Sequence, residues 1–562
     1  MLKRNRAKLL GIVFAYSFNV LAFAGSTSWE DLTQAGWESA TNGNLPMAER
    51  KLLAALEEAE KFDQTDPRLT ESLQNLALLY EKLKQFDKAE TLYSRELKLV
   101  EPLGDSYKDT LSILTALGRV SEARHNYRQA EHYFRRAQAI NHNLPSKNDK
   151  GVNCRLLWGI GLNCDLQGKY AEAEPFLLET LTIKKKGTKA EPDMNRLYDE
   201  IASNFKGQRK FDQAENYARK AVTLKASQVG QNSPELIGYL LRLEYIDCEA
   251  GKLEKAEPIS RQILRIARTS KSYGRNQTAD RLLDLGNLCH LLKKYGEAES
   301  CYKEALAIYK RYDSNNYQAL CRARFSLAEV YAAQQKFKIA QPLYESALLL
   351  KKKTLHPNDA ETVRILDSEG VNLCKLNRTR EAEHAYKKAL VLQESLTQTK
   401  EDSFLVPLSF LADFYLSERR FTEAEPLYRK ASALNANSSS PNDLMTAHVF
   451  HQLGATCAGL SRDLEAEDLY KQAIKVYDNL PSPIKGEQAA CLMELANLYT
   501  RQKKYSAAEN NYNRCLTILK DVPELREQYR MSIQCYADLL RKTKRNKEAD
   551  RLLRTYSGAD HS

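Results

Sequence analysis

The sequence predicts an all-α fold, an α-solenoid of about thirteen helix-turn-helix repeats, from three observations. An alanine, nearly always followed by an acid, recurs along almost the whole chain. Apolar residues between these alanines follow helical spacing in two segments per period. Only 23 of 562 residues are Gly and 43% are apolar, as in an ordinary folded protein. The recurring alanines, called anchors below, are Ala48, Ala89, Ala130, Ala173, Ala214, Ala256, Ala298, Ala340, Ala382, Ala424, Ala466, Ala508 and Ala549, spaced 41 to 43 residues apart.

The first element is a targeting segment over residues 1–24. Lys3, Arg4, Arg6 and Lys8 precede an apolar run that ends in the small-residue pattern at 22–24. This order is typical of a signal peptide, and the run is shorter than the ~20 residues of a membrane-spanning helix. We therefore expect export after cleavage near Ala24, with an uncleaved membrane anchor as the alternative. No membrane contact is expected if cleavage occurs.

The remaining chain is predicted to form one solenoid over 25–556, followed by a disordered tail over 557–562. In the seventh unit, apolar residues recur at helical spacing on both sides of a Lys293-Lys294 break, at Leu282, Leu285, Gly286 and Cys289 and then at Tyr295, Ala298, Tyr302 and Ala305. Position −12, counted from the anchor, holds Gly or Ala in every unit except that of Glu244. Such small residues allow two helices to pack closely.

Eleven cysteines in an exported chain raise the question of disulfides. Their number is odd and their spacing forms no framework. Cys164, Cys289 and Cys457 occupy position −9, where other units carry Tyr or Phe. We expect buried apolar cysteines, with one or two incidental disulfides as the alternative.

The order of small and aromatic residues in the seventh unit, Leu285-Gly286, Cys289, Tyr295, Ala298, Tyr302 and Ala305-Leu306, resembles the tetratricopeptide repeat (TPR). The 42-residue period is similar to the longer variant of kinesin light chains. The resemblance implies a right-handed superhelix in which the first helix of each unit lines a concave groove. It also implies binding of protein or peptide partners in that groove.

Carried over by position, the groove slots of the family fall on a mixed set of side chains. Arginines recur at position −18, and Asp199 and Asp367 share position −15 with two aromatic residues that we expect to be exposed, Trp158 and Phe325. Because arginine binds carboxylates with a planar fork, an extended peptide with acidic groups is the leading ligand. Arginines paired to Asp199 or Asp367 are the alternative. The candidate ligand-binding residues are Arg155, Trp158, Arg196, Tyr245, Asn287, Arg322, Phe325, Arg364, His448, His451 and Asn497.

Catalytic and metal-binding motifs are missing from the sequence. It contains no C-x-x-C, H-E-x-x-H, G-x-S-x-G or phosphate-binding glycine loop. His448 and His451 lie one helical turn apart and could face one ligand or metal; a polar pair in the groove is the simpler interpretation. We therefore expect no enzyme, no catalytic residue, no cofactor and no metal.

Charge argues against a nucleic-acid partner. Without the four cations of the leader, the excess of basic over acidic residues falls from 11 to 7 on more than 530 residues. The leading hypothesis is a non-catalytic exported scaffold for protein or peptide partners. The alternative is a structural spacer for envelope assembly without a defined peptide site.

Overall fold

The computed structural model describes residues 28–103, 107–143, 150–186, 193–354, 356, 358–396, 401–436, 443–480, 484–520 and 522–558. The chain divides into two compact units, residues 1–259 and 260–562. The described residues form 26 α-helices and no strand, which confirms the predicted all-α solenoid of thirteen hairpins. The predicted signal peptide lies outside the described residues.

The helices alternate as first and second helices of successive hairpins. From the first unit to the boundary they are α1 Trp29–Thr41, α2 Leu45–Ala59, α3 Pro67–Lys82, α4 Phe86–Val100, α5 Tyr107–Ala123, α6 Tyr127–Asn143, α7 Lys150–Leu166, α8 Tyr170–Lys185, α9 Met194–Gly207, α10 Phe211–Val229, α11 Ile237–Glu249 and α12 Leu253–Thr269, which contains the boundary.

The second unit continues the same alternation. Its helices are α13 Arg275–Leu291, α14 Tyr295–Tyr312, α15 Tyr317–Ala333, α16 Phe337–Lys351, α17 Ala360–Lys375, α18 Thr379–Ser395, α19 Leu405–Ser417, α20 Phe421–Ala436, α21 Asp443–Gly459, α22 Asp463–Asn479, α23 Lys485–Arg501, α24 Tyr505–Leu519, α25 Arg526–Lys542 and α26 Asn546–Gly558. Ser557 and Gly558 complete α26, so they are not part of the predicted tail. None of the described helices is long and apolar enough to cross a membrane.

The core of each hairpin is built around the anchor alanine. All thirteen anchors are fully buried. A Cβ added to Gly286 would lie 2.5 Å from Cε1 of Tyr302, and a Cβ on Gly370 would lie 2.6 Å from Cε1 of Tyr386. The small residue at position −12 therefore makes room for the large residue at position +4 of the same hairpin.

Each hairpin turn contains one residue in the left-handed region. It stands at position −5 in every unit, where Gly43, Gly168 and Gly251 have positive φ and the other ten units carry a non-glycine residue with φ between 57° and 64°. In the seventh unit the N–H of Lys294 donates to the carbonyl of Cys289 at 2.8 Å. This bond closes the first helix as a Schellman motif, which requires a left-handed residue beside it.

Neighbouring hairpins are joined by the acid that follows the anchor. Glu383 accepts hydrogen bonds from Arg420 at 2.8 Å and from the hydroxyl of Tyr415 at 3.2 Å, both in the next hairpin. The same contact, from position +1 to position −4 of the next unit, occurs in the pairs Glu131–Lys169, Glu174–Lys210, Glu215–Lys252, Glu425–Arg462, Glu467–Lys504 and Glu509–Arg545. We call this set the +1 acid contacts.

Candidate functional site

The first helices of successive hairpins contact one another at several places within each unit. In several repeats, the residue at position −15 contacts position −18 or −14 of the next first helix. Trp158 donates from Nε1 to Glu200, and Asp199 accepts from Nε of Arg242 at 2.8 Å. We call the surface formed by positions −18, −15, −14 and −11 the first-helix face.

In the first compact unit, residues 1–259, the first-helix face is centred on Trp158. Its half-buried ring has the guanidinium carbon of Arg196 5.5 Å and the ammonium of Lys184 5.1 Å from its centroid. Arg196 also donates from Nε to Glu200 at 2.9 Å. Burial raises the pKa of Glu200, opposed by its bonds from Trp158 and Arg196. Arg196 therefore pairs within the protein.

Two other predicted residues of the first unit are open to solvent. Arg155 is exposed and forms no ion pair among the residues that the structure describes. Tyr245 is 52% exposed, with the ammonium of Lys206 4.6 Å from its ring centroid. Both side chains are accessible to a partner.

In the second unit, Arg322 and Arg364 are exposed, and neither forms an ion pair within the described part of the chain. The guanidinium of Arg364 lies over the ring of Phe325, 5.1 Å from its centroid. The expectation of an exposed Phe325 is wrong, because this side chain is only 6% exposed and packs on Tyr344 at 6.1 Å. The buried ring of Phe325 therefore holds the guanidinium of Arg364 by a cation–π contact.

The two predicted asparagines accept bonds from buried tyrosines of their own hairpins. The hydroxyl of Tyr302 donates to Asn287 at 2.7 Å, and that of Tyr512 donates to Asn497 at 2.6 Å. Position −11 therefore positions the tyrosine at +4, which was not evident from the sequence because the two residues are fifteen positions apart.

The two histidines of α21 bind carboxylates on opposite neighbours. Nε2 of His448 is 3.2 Å from both carboxylate oxygens of Asp413 on α19. Nε2 of His451, a residue only 2% exposed, is 3.2 Å from Glu494 on α23. Burial lowers the pKa of His448, but the hydrogen bond and charge of Asp413 outweigh it and raise the pKa above its usual value. The pair therefore joins three first helices and does not face one ligand.

Within residues 1–259, one cluster has the composition of a metal site. Ligand atoms of Glu131, Cys164 and Glu172 lie within 4.8 Å of one another. Arg135 donates from Nε to Glu131 at 2.9 Å, pairs with Glu172, and approaches Sγ of Cys164 at 3.7 Å. The guanidinium already supplies the positive charge that the two carboxylates require.

The burial of one acid on this face, Asp367, was not predicted from the sequence. Asp367 was considered as a partner for arginine, yet it is 3% exposed and pairs with no arginine in the described residues. Its neighbour along the chain, Arg364, is held over Phe325 instead. The signal was present in the sequence: the next first helix carries Val406 and Phe410 at the two positions where a partner would stand.

Fold and site together define a helical-hairpin repeat protein with a polar face made by its first helices. Tetratricopeptide repeat models match residues 68–142, 240–311, 320–395 and 404–479, and a second tetratricopeptide repeat model matches 488–522. These segments make up more than half of the chain, which therefore belongs to the tetratricopeptide repeat family. Proteins built from these repeats are generally non-catalytic scaffolds for protein interactions.

Three solved structures are similar to this chain at low identity and with TM-scores below 0.5. Apo RapI is 14% identical, with 66% of this chain and 98% of that chain covered and a TM-score of 0.47. The apo quorum sensor NprR from B. thuringiensis is 18% identical, with coverages of 71% and 99% and a TM-score of 0.43. BtubC (BKLC) from P. vanneervenii is 18% identical, with coverages of 40% and 91% and a TM-score of 0.34. No curated protein matches the chain.

Proposed function

We propose that the protein is an exported, non-catalytic scaffold that binds a partner peptide on its first-helix face. The observation that carries this proposal is the set of three exposed arginines on that face, Arg155 in the first unit and Arg322 and Arg364 in the second. Most other arginines of the described chain, such as Arg119, Arg420 and Arg545, pair with carboxylates. Guanidinium groups left without an internal carboxylate can bind one on a partner.

Charge reversal with a matched control tests this binding mode. The test variant is R155E/R322E/R364E, and the control is R50E/R265E/R380E. The control residues are exposed arginines on second helices that form no ion pair among the described residues. Both variants change the net charge equally, so a loss specific to the test variant cannot come from overall charge.

The measurement is a crosslinking pull-down from the exported fraction of the protein's own cells. We expect the wild type and the control to enrich the same partner and the test variant to lose it. Equal capture by all three proteins would show that the first-helix face is not the binding surface. Capture by none of them would favour the alternative of a spacer without a peptide site.

Export is the second part of the proposal and rests on the leader sequence of residues 1–24. We expect the protein isolated from the exported fraction to begin at Gly25. Sequencing of its amino terminus by mass spectrometry tests this. Retention of residues 1–24 on a membrane-bound protein would instead indicate an anchor, and recovery from the cytoplasm alone would contradict export.

A further inference from the structure

In four repeats, the residue at position −15 of a first helix has a partner on the next first helix. Trp158 pairs with Glu200, Asp199 with Arg242, Phe325 with Arg364, and His451 with Glu494. The partner stands at position −18 or −14 of the following unit. This partner makes burial of the polar group at −15 tolerable.

Asp367 differs from these four residues. It occupies position −15 of α17, but α19 offers it Val406 and Phe410 at positions −18 and −14. Asp367 is 3% exposed, and within the described chain its carboxylate has no hydrogen bond and no ion pair. The ring of Phe410 is stacked on Tyr386, with centroids 6.2 Å apart. The repeat register therefore places this buried carboxylate opposite two apolar residues of α19.

A neighbouring cation is present but is engaged elsewhere. Arg364 lies three residues before Asp367, one turn along the same helix, yet its guanidinium is held over Phe325 on the opposite side. The position −11 residue of this unit, Val371, is 37% exposed, and Val406 is 47% exposed. Asp367 therefore has solvent-accessible aliphatic side chains near it on its own helix and on the next one.

We propose that Asp367 accepts a cationic group of the bound peptide, an ammonium or guanidinium, whose aliphatic part packs on Val371 and Val406. This inference rests on the proposed function and names the chemistry of one subsite of the same face. A cation of the peptide would pair with the Asp367 carboxylate, which has no partner within the described chain. Arg322 and Arg364 then take a carboxylate of the same peptide, so the ligand carries both signs of charge.

The energetics of burial agree with this assignment. A buried ionised carboxylate without a partner is strongly disfavoured, and a bound cation removes that penalty. Burial alone raises the pKa of Asp367 to about 7. Among the ionisable groups described on the adjoining helices, Tyr386 on α18 has a pKa that is raised by burial and, to a smaller extent, by the charge of Asp367. None of these groups forms an ion pair with Asp367.

The test uses the full chain and a positional-scanning library of synthetic nonapeptides, prepared with free or acetylated amino ends. Binding is measured by fluorescence anisotropy for the wild type, for D367N and for the control D468N. Asp468 is an exposed acid on the second helix α22, so D468N removes the same charge away from the face. Each selected peptide is compared with a copy in which norleucine replaces its basic residue.

We expect the wild type and D468N to select one position for Lys, Arg or a free amino end. D367N should bind these peptides about 10-fold or more weakly, as for loss of a charged hydrogen bond, and should bind the norleucine copies like the wild type. Loss of binding on acetylation identifies the amino end as the cation, and retention identifies a side chain.

Two other outcomes overturn the inference in different ways. Peptides that bind without selection of a cation, or that bind D367N and wild type equally, would refute the role of Asp367 while leaving peptide binding intact. No binding by any peptide would refute the proposed function, and this subsite with it.

Discussion

In ten of the hairpin turns, the residue at position −5 is strained because it adopts the left-handed region without being glycine. Ten of the thirteen units place a side chain there although only glycine avoids the steric conflict of this region. Lys293, with φ 59°, is one of them. The sequence indicated the break between helices here, but not the left-handed geometry, because most units lack the glycine that normally signals it.

Lys293→Gly should stabilise the second compact unit, residues 260–562. The gain should be about 0.5–1 kcal/mol, the relief of left-handed strain less the extra chain entropy of glycine. The control Lys388→Gly, at an exposed interior position of α18, should lose about 0.5–1 kcal/mol through lower helix propensity. Urea unfolding followed by circular dichroism measures both changes. A loss at both positions would show that the turn is not strained.

Asp367 illustrates how a residue suited to binding can reduce stability. Its pKa rises from 3.8 to about 7 on folding because the charged form is desolvated, so the folded state binds the proton more tightly. The residue therefore destabilises the fold increasingly as pH rises from about 4 to 7, and the penalty then stays constant, at about 4 kcal/mol.

Asp367→Asn should accordingly stabilise the ligand-free protein at pH 8 and have no effect at pH 4. Hydrogen exchange of α17 and α19 at the two pH values measures this locally, with D468N as the control. A variant that is less stable than the wild type at pH 8 would show that the carboxylate has an internal partner.

At the scale of the helix, the hairpin depends on matched volumes at positions −12 and +4. The sequence predicted close helix packing from the small residues at position −12. The structure adds the residue at +4 as the group that fills the space, for example Tyr302 against Gly286. That match could not be read from one sequence because Leu52, Phe134, Leu177 and tyrosines all occupy the +4 position.

Gly286→Ala should destabilise the seventh hairpin by about 1–3 kcal/mol, as for overpacking of a core. Its new methyl group would overlap the ring of Tyr302, which is fully buried and held by its bond to Asn287. Gly296→Ala in α14 is the matched control: nothing lies within 4 Å of the added atom, so it should gain about 1 kcal/mol from helix propensity. Denaturation midpoints of the two variants should shift in opposite directions.

The +1 acid contacts make the stability of the packing between neighbouring hairpins depend on pH. Hydrogen bonds from Arg420, opposed by desolvation, lower the pKa of Glu383 to about 2. Because the pKa is lower in the folded chain than in the unfolded chain, this contact stabilises the protein fully above pH ~4.5 and is lost as pH falls toward 2. The sequence showed the acid after the anchor but not its contact, because the partner Arg420 lies 37 residues away.

Glu383→Gln should destabilise the protein at pH 7 by about 1–2 kcal/mol, less than the pKa change alone implies, because solvent screens a side chain that is partly exposed. The difference from the wild type should shrink as pH approaches 2. Glu418→Gln, at an exposed residue beyond the end of α19, controls for charge. Thermal unfolding between pH 2 and 7 measures both, and a loss independent of pH would refute the ionic contact.

At the scale of the whole chain, the repeat period determined almost all of the predicted fold. The number of hairpins and their order follow from the anchors, because a regular period leaves no room for another domain. The division at residues 259 and 260 was not predicted, since the anchors on either side, Ala256 and Ala298, keep the common spacing of 42. The residues of the first-helix face were predicted by position. The contacts that Arg196, Asn287 and both histidines make within the protein depend on the folded hairpins and could not be predicted from the sequence.

Because we propose that the chain is exported into oxidising conditions, its cysteines provide a test of the whole architecture. None of the eleven forms a disulfide in the described part of the chain, and seven of them are buried. Burial raises the pKa of Cys164 and Cys457 to about 11 and that of Cys321 to about 12, so the reactive thiolate is scarce at neutral pH. Burial in the hairpins thus makes these thiols slow to react.

We expect maleimide to label the folded protein slowly and first at the half-buried Cys248, Cys301, Cys374 and Cys535. After denaturation without a reductant, all eleven thiols should react, as counted by intact mass spectrometry. Protein reduced before denaturation is the control and should give the same count. A deficit of two or four labels, restored by the reductant, would demonstrate disulfides and refute the interpretation of these cysteines as apolar core residues. An unchanged count would show that the chain stays folded through burial in the hairpins and not through cross-linking.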